Sequence, residues 1–206
     1  GAFAAWMAAG TSYSNHLHTL IPFYIYYSMF GFQRIGDLAW AAGDLQTRGF
    51  LLGGTAGRTT LNGEGLQHQD GHSHALAATI PNCISYDPAY GYELAVIIQR
   101  GLAHMFVERE PVYYYITVMN EAYEQPAMPA GVEQDIIKGM YCLESDDSTS
   151  TTRIRLLASG TLLREALAAA ETLRPDYSVA VQVWSVTGYT ELSRDIDDVK
   201  RWNMLH

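Results

Sequence analysis

The chain has 206 residues, of which 48% are hydrophobic and 17% are charged, and its formal net charge at pH 7 is −9. This composition is typical of a folded globular protein and excludes a disordered chain. The scattered Lys and Arg residues argue against nucleic acid as a partner, because phosphate binding requires clustered positive charge.

Alternating helix and strand patterns predict a parallel sheet with helices on both faces in the first part of the chain. The Ala-rich residues 2–9 predict a helix. Residues 21–27 are almost continuously apolar, which predicts a strand buried on both faces. The further elements predicted in this part are a helix over 30–45, strands over 50–55 and 83–86, an amphipathic helix from Tyr90 to Phe106 and a strand over 112–119.

The remaining residues predict the opening of a second domain. We expect residues 1–125 to form the first domain, 126–138 a linker marked by Pro126 and Pro129, and 139–206 an incomplete second α/β domain. The elements predicted there are strands over 139–143 and 154–158, a helix that Thr161 caps and that runs to Leu173, a strand over 177–186 and a helix that begins near Thr190.

We expect neither a membrane span nor a signal peptide in this sequence. The apolar windows 2–9 and 21–30 are shorter than the ~20 residues that a membrane span needs, and residues 1–9 lack the basic start of a signal peptide. Cys83 and Cys142 form no CxxC pair, so a reducing, cytoplasmic compartment is expected. Because no initiating Met is present, we expect the sequence to be an excerpt of a longer polypeptide.

A polar run rich in glycine and histidine, here called the histidine loop (residues 61–74), is the clearest candidate for chemistry. It contains Glu64, His68, Asp70, His72 and His74. Imidazoles beside carboxyl groups form an acid–base set that can be tuned near neutral pH. Two other interpretations stay open, a zinc site and histidines that bond only to the backbone. The glycines match neither the P-loop nor the dinucleotide-binding fingerprint, so phosphate binding is not favoured.

An aromatic cluster at the end of the predicted strand 21–27 is a second candidate. A helical turn would place Tyr27 and Phe30 on one side, where they could hold a flat heterocycle or serve as ordinary core residues. Arg34 follows on the same helix, either exposed or paired with a carboxylate. The chain has no GxSxG elbow and no cysteine with local His support, so any chemistry would depend on a cofactor.

Long motifs identify a family resemblance. They are IPFYIYYSMFGFQR at 21–34, GRTTLNGEGLQH at 57–68, DGHSH at 70–74 and SYDPAY at 85–90. Together they resemble the homodimeric, bacterial-type E1 component of the pyruvate dehydrogenase complex, and the resemblance extends to RWNMLH at 201–206. It implies the pyrimidine-binding middle domain of a thiamine diphosphate enzyme, followed by the start of its carboxyl-terminal domain.

The resemblance also implies an activity and its partners. Such enzymes use thiamine diphosphate and Mg²⁺ to decarboxylate pyruvate, and they pass the acetyl unit to a lipoyl group on the E2 dihydrolipoyl acetyltransferase. The metal and diphosphate ligands, and the glutamate that bonds the pyrimidine ring, would lie outside this sequence, so the segment alone is expected to be inactive. There are two alternatives. The first is another transketolase-like or 2-oxo acid thiamine enzyme, and the second is a non-catalytic dimerisation domain on the same fold.

Particular residues carry the implied roles. Tyr27 and Phe30 are expected against the aminopyrimidine ring, and His68 is expected to face the reacting group. Arg34 is expected in a polar tunnel that joins the two active centres of the dimer. The residues expected to line the same entrance are Glu64, His72 and His74. No metal ligand is expected within the chain.

Overall fold

The computed structural model describes residues 1–57, 65–146, 148 and 150–206. By their contacts these residues form two compact units, Gly1–Tyr86 with Ile97–Ala122, and Asp87–Val96 with Tyr123–His206. Residues 87–96 therefore belong to the second unit, an assignment that the sequence pattern does not anticipate. The domain limits expected at residues 125 and 139 stay predictions.

The first unit contains a four-stranded sheet in which every neighbouring pair is parallel. Its strands are β1 (Phe23–Tyr27), β2 (Phe50–Gly54), β3 (Cys83–Tyr86) and β4 (Tyr113–Thr117), in the order β1-β2-β4-β3. The predicted parallel sheet is confirmed. Since parallel strands all end at the same edge, Tyr27, Tyr86 and Thr117 lie at one edge of the sheet.

Helices surround this sheet as the sequence pattern predicts. They are α1 (Ala2–Gly10), α2 (Ser12–Asn15), α3 (Gly31–Asp44), α4 (Ser73–Ala78) and α5 (Gly91–Leu102), which continues as a π-helical turn over Ala103–Val107. The short helices α2 and α4 were not predicted. The amphipathic helix was predicted to run to Phe106, but the α-helix ends at Leu102 and the following residues form the π-helical turn.

The three consecutive tyrosines of β4 show that both faces of the sheet are covered. Tyr113 and Tyr115 are fully buried in a core that includes side chains of α1, α3 and α4. Tyr114 points to the other face, where its hydroxyl lies 3.0 Å from Nδ1 of His104. The indole N–H of Trp6 donates to the carbonyl oxygens of Pro22 (3.2 Å) and Phe50 (3.1 Å) and so fastens α1 to two strands.

The expected burial of β1 on both faces is wrong for this chain. Phe23 and Ile25 are 46% and 68% exposed, because alternate side chains of a strand point to opposite faces and these two project away from the core that Tyr24 and Tyr26 join. An apolar run predicts that a strand is buried, but it does not identify which element or partner packs against it.

The second unit contains a mixed three-stranded sheet. Its elements are α6 (Glu133–Lys138), β5 (Met140–Glu144), β6 (Arg153–Ala158), α7 (Leu162–Tyr177), β7 (Ala180–Val186) and α8 (Tyr189–Leu205). The strand order is β5-β7-β6, with β5 antiparallel and β6 parallel to β7. Leu163 and Ala170 of α7 pack against Val181 and Val183 in its core.

Three details of the second unit differ from expectation. Helix α6 lies inside the predicted linker. Thr161 directly precedes α7, but among the described residues its side chain makes no capping hydrogen bond. Helix α7 continues through Pro175 to Tyr177, where Ser178 in the left-handed conformation (φ 52°) ends it.

No helix in the part of the chain that the structure describes is both long and apolar enough to cross a membrane.

Candidate active site

The carboxyl end of β1 and the turn after it form a cleft with aromatic walls. Its volume is about 160 Å³, and the residues that line it are Tyr24, Tyr26, Tyr27, Phe30, Gly31, Arg34 and Ile35. The cleft lies at the edge where the parallel strands end, which is the usual place for a ligand in an open α/β sheet. Its position follows from the abrupt change from strand to helix at Ser28–Phe30.

The structure brings Tyr27, Phe30 and His68 together. The ring centroids of Tyr27 and Phe30 are 5.6 Å apart, and the His68 ring lies 5.6 Å from the first and 5.5 Å from the second, nearly perpendicular to both. His68 is the last residue of a short 3₁₀ helix, Leu66–His68, and it contacts the aromatic pair although the two segments are far apart in the sequence. An imidazole in edge contact with two aromatic rings has a fixed orientation.

The sequence leaves open whether Arg34 is exposed or paired with a carboxylate, and the structure shows it exposed. Its side chain is at the surface, and the guanidinium carbon lies 4.5 Å from the centroid of the Phe30 ring. This cation–π contact places a positive charge at the rim of the cleft.

His72 contacts α3 rather than the aromatic pair. The side-chain amide N–H of Gln33 donates to Nε2 of His72 at 3.1 Å, since an amide nitrogen can only donate. This bond leaves the imidazole proton on Nδ1, which lies 3.8 Å from Oδ1 of Asp70. The Asp70 side chain is 5% exposed and the His72 side chain 37% exposed.

His74 is engaged by the ends of two strands. Its Nδ1 lies 3.3 Å from the Ser85 hydroxyl and its Nε2 lies 3.0 Å from the Thr117 hydroxyl. The ring also packs against Tyr115 at a centroid distance of 5.2 Å. These contacts fasten the start of α4 to β3 and β4.

Two predictions for the histidine loop concern Glu64 and a zinc site. Glu64 lies outside the described residues. Among the residues that the structure describes, no group of three His, Cys, Asp or Glu side chains could hold a metal ion, so the zinc interpretation of His68, Asp70, His72 and His74 has no geometric support.

Asp70 organises the loop more directly than sequence reasoning indicates. Burial by itself raises the pKa of the Asp70 carboxyl, but hydrogen bonds from Ser73 and His72 outweigh it and lower that pKa from its ordinary value. Gln33, Ser85 and Thr117, which hold His72 and His74, were also not singled out. For Gln33 a signal existed, because it lies three residues after Phe30, about one helical turn away.

Gly31 is required by close packing at the cleft. A Cβ atom at this position would lie 1.9 Å from Cε2 of Tyr26, whereas a Cβ at Gly36, on the same helix, would meet nothing within 4 Å. We expect Gly31→Ala to destabilise the protein by roughly 2 kcal/mol through this overlap. The matched Gly36→Ala change should stabilise it by up to about 1 kcal/mol, since Ala favours the helix. Thermal unfolding of both variants measures the difference, and equal shifts would show that Tyr26 moves aside freely.

Comparison with solved structures defines the class of fold. Transketolase from Campylobacter jejuni superimposes with a TM-score of 0.72 at 19% sequence identity, covering 91% of this chain and 27% of that chain. The chain therefore has a transketolase-like α/β fold. A model of the transketolase-like C-terminal domain also matches residues 139–204.

Sequence comparison then defines the family. The model of the pyruvate dehydrogenase E1 component middle domain matches residues 1–126. The pyruvate dehydrogenase E1 components of Pseudomonas aeruginosa and Escherichia coli K12 are each 63% identical over the whole chain, which spans 23% of the length of each. The chain belongs to the pyruvate dehydrogenase E1 component family.

Proposed function

We propose that this chain is part of the E1 subunit of a pyruvate dehydrogenase complex. In this proposal the whole subunit decarboxylates pyruvate and transfers the acetyl unit to the lipoyl group of the E2 dihydrolipoyl acetyltransferase. The observation that carries the proposal is the contact of the His68 ring with Tyr27 and Phe30, two of the residues that line the cleft. Membership of the family supports it.

The aromatic cleft fits the heterocycle of thiamine diphosphate, the cofactor that the family resemblance implies. A flat heteroaromatic ring is held well by aromatic side chains in a small cleft, here of about 160 Å³. Tyr27 and Phe30 would hold that ring, while the diphosphate and Mg²⁺ would be held by residues outside this chain. When bound, thiamine diphosphate supplies a nucleophilic carbon that allows a 2-oxo acid to lose carbon dioxide.

The side chains of the cleft have separate tasks in this proposal. Tyr27 and Phe30 exclude water, which lowers the local dielectric constant and strengthens every charge interaction there. His68 would give a proton to the reacting group or take one from it. Arg34, over the outer side of Phe30, offers positive charge at the rim.

The proposed assembly is a cytoplasmic homodimer. The exposed apolar side chains Phe23 and Ile25 lie on the edge strand β1, and proteins normally cover such a surface. A second copy of the subunit would provide a cover. Cys83 and Cys142, both among the described residues, are not disulfide-bonded, in agreement with a compartment that keeps thiols reduced.

The test uses the full-length subunit with Mg²⁺, thiamine diphosphate and an isolated E2 lipoyl domain. We expect pyruvate to release carbon dioxide and to acetylate the lipoyl group, measured by isotope release and by the mass of the domain. Transfer of a two-carbon ketol unit between sugar phosphates, without lipoyl acetylation, would instead indicate a transketolase activity. Absence of thiamine diphosphate binding in calorimetric titration would indicate a non-catalytic domain.

Replacement of Tyr27 tests the wall of the cleft. We expect Tyr27→Ala to raise the Kd of the full-length subunit for thiamine diphosphate roughly tenfold, since stacking between an aromatic side chain and a heterocycle contributes about 1–3 kcal/mol. Tyr27→Phe should restore most of the affinity because it keeps the ring. Tyr177→Ala, at a side chain that is 68% exposed in the second unit, is the matched control. Calorimetric titration measures all three, and equal Kd values for Tyr27→Ala and the control would refute the role.

A further inference from the structure

The first observation concerns the carboxyl group of Asp70. Oδ1 accepts hydrogen bonds from the backbone N–H groups of His72 and Ser73, both at 3.1 Å. Oδ2 accepts the hydroxyl hydrogen of Ser73. With a side chain that is 5% exposed, Asp70 is a nearly buried carboxyl group that fixes the backbone of the next three residues.

The second observation is that both histidines after Asp70 bond to separate parts of the fold. His72 accepts the N–H of Gln33, which lies on α3 one residue before Arg34. His74 lies between the hydroxyls of Ser85 and Thr117 at the ends of β3 and β4. The backbone turn that Asp70 fixes therefore determines how the histidine loop joins both the helix and the sheet.

We propose that Asp70 is a positioning residue that holds residues 68–74 so that His68 faces the aromatic pair Tyr27 and Phe30. The inference rests on the proposed function and deepens it. Asp70 acts through His68 and makes no contact with substrate or cofactor. His68 lies two residues before Asp70, at the end of Leu66–His68, so movement of the turn at 70–73 moves the imidazole with it. A displacement of about 1 Å at a reacting group can cost about a hundredfold in rate.

The ionised form of Asp70 suits this task. A carboxylate is an acceptor only, so both oxygens can face N–H and O–H donors at once. The lowered pKa keeps the group ionised at neutral pH, and the hydrogen bonds are lost only as the pH falls below the ordinary range of a carboxyl group. An amide in its place would turn an NH₂ group towards the Ser73 hydroxyl or the backbone donors.

The first measurement needs neither cofactor nor activity. Hydrogen–deuterium exchange of the cofactor-free, full-length subunit is followed in peptides that cover residues 69–76. We expect Asp70→Ala to speed exchange of the His72 and Ser73 amides about tenfold, because both lose their acceptor. Asp44→Asn, at an exposed carboxyl at the end of α3, is the control and should leave these peptides unchanged. Unchanged exchange in Asp70→Ala would overturn the proposal.

The second measurement separates positioning from loss of fold. The kcat for pyruvate is expressed per site loaded with thiamine diphosphate, and we expect it to fall roughly 30-fold in Asp70→Ala with the KM for pyruvate within about threefold of wild type. Asp70→Asn should recover part of the rate because one acceptor oxygen remains. Faster exchange with an unchanged rate per loaded site would also overturn the inference.

Asp70→Asn and the wild-type subunit cover the remaining outcomes. If Asp70→Ala does not fold, Asp70→Asn carries the test, with an expected rate loss of about threefold to tenfold against Asp44→Asn. An Asp70→Asn rate equal to that of the control overturns the inference. Failure of the wild-type subunit to act on pyruvate refutes the proposed function, and the exchange measurement then judges the positioning of the loop by itself.

Discussion

Replacement of His68 by Ala should lower the kcat of the full-length subunit for pyruvate roughly 100-fold to 1,000-fold, which lies within the range of roughly 100-fold to 10,000-fold for a single general acid–base catalyst. The reason is geometric. Tyr27 and Phe30 line the cleft, and the His68 ring stands nearly perpendicular to both of their rings, at 5.6 and 5.5 Å. The Kd for thiamine diphosphate should therefore change by less than about tenfold, since both aromatic walls remain.

The measurements for His68→Ala are steady-state release of carbon dioxide and calorimetric titration of the cofactor. A group that acts in the transition state lowers kcat, whereas a group that only binds substrate raises KM at constant kcat. His16→Ala, at an exposed histidine after α2, is the matched control and should keep the wild-type rate. A His68→Ala enzyme with wild-type kcat at full cofactor occupancy would remove His68 from the mechanism.

Much of the fold could be predicted because its strands are apolar and its helices periodic. The limits of the four parallel strands were each predicted to within about two residues. The short helix α6 was missed although its signals are present, acidic residues in its first turn and Gly139 in the left-handed conformation (φ 112°) after its end.

Other features could not be predicted from local pattern. A period of 3.6 residues gives no sign of the π-helical turn over Ala103–Val107, which changes the phase of the stripe. Pro175 predicts the end of a helix, but in the last turn of α7 it removes only one hydrogen bond, and the helix continues to Tyr177.

The candidate site was predictable in part. The spacing of Tyr27 and Phe30 predicted that the two rings lie on one side, and their centroids are 5.6 Å apart. The approach of His68 to these rings depends on a tertiary contact between distant segments, which only the family resemblance indicated. The bonds of His72 to Gln33 and of His74 to Ser85 depend on how α3 and β3 are placed, and no local pattern specifies this.

A buried carboxyl group organises the second unit and carries the other large prediction. Glu93 is 0% exposed. Its Oε2 accepts the backbone N–H groups of Ala89 (2.6 Å) and Tyr90 (3.1 Å), and its Oε1 accepts the hydroxyl hydrogens of Tyr141 and Ser185, both at 2.7 Å. Glu93 thus joins the start of α5 to β5 and β7.

We expect Glu93→Ala to destabilise the second unit by about 4 kcal/mol, because four buried donors lose their acceptor and each unsatisfied group costs about 1–3 kcal/mol before the structure relaxes. The hydroxyl of Tyr141 cannot compensate by ionising, since burial raises its pKa far above the ordinary value. The measurement is native-state hydrogen exchange of the amides of β7 in the full-length subunit. A loss of about 4 kcal/mol corresponds to about a thousandfold faster exchange.

The control for Glu93 separates this network from a general effect of removing a glutamate. Glu171→Ala makes the same change at an exposed position on α7, in the same unit, and should alter exchange in β7 by less than threefold. Glu93→Gln keeps one acceptor oxygen but turns an NH₂ group towards hydroxyl or N–H donors, so its loss should fall between the two, at about 2 kcal/mol. Equal exchange rates of the β7 amides in Glu93→Ala and Glu171→Ala would contradict this prediction. Water would then reach the four donors in the variant, and the Glu93 carboxyl group would not be what joins residues 87–96 to β5 and β7.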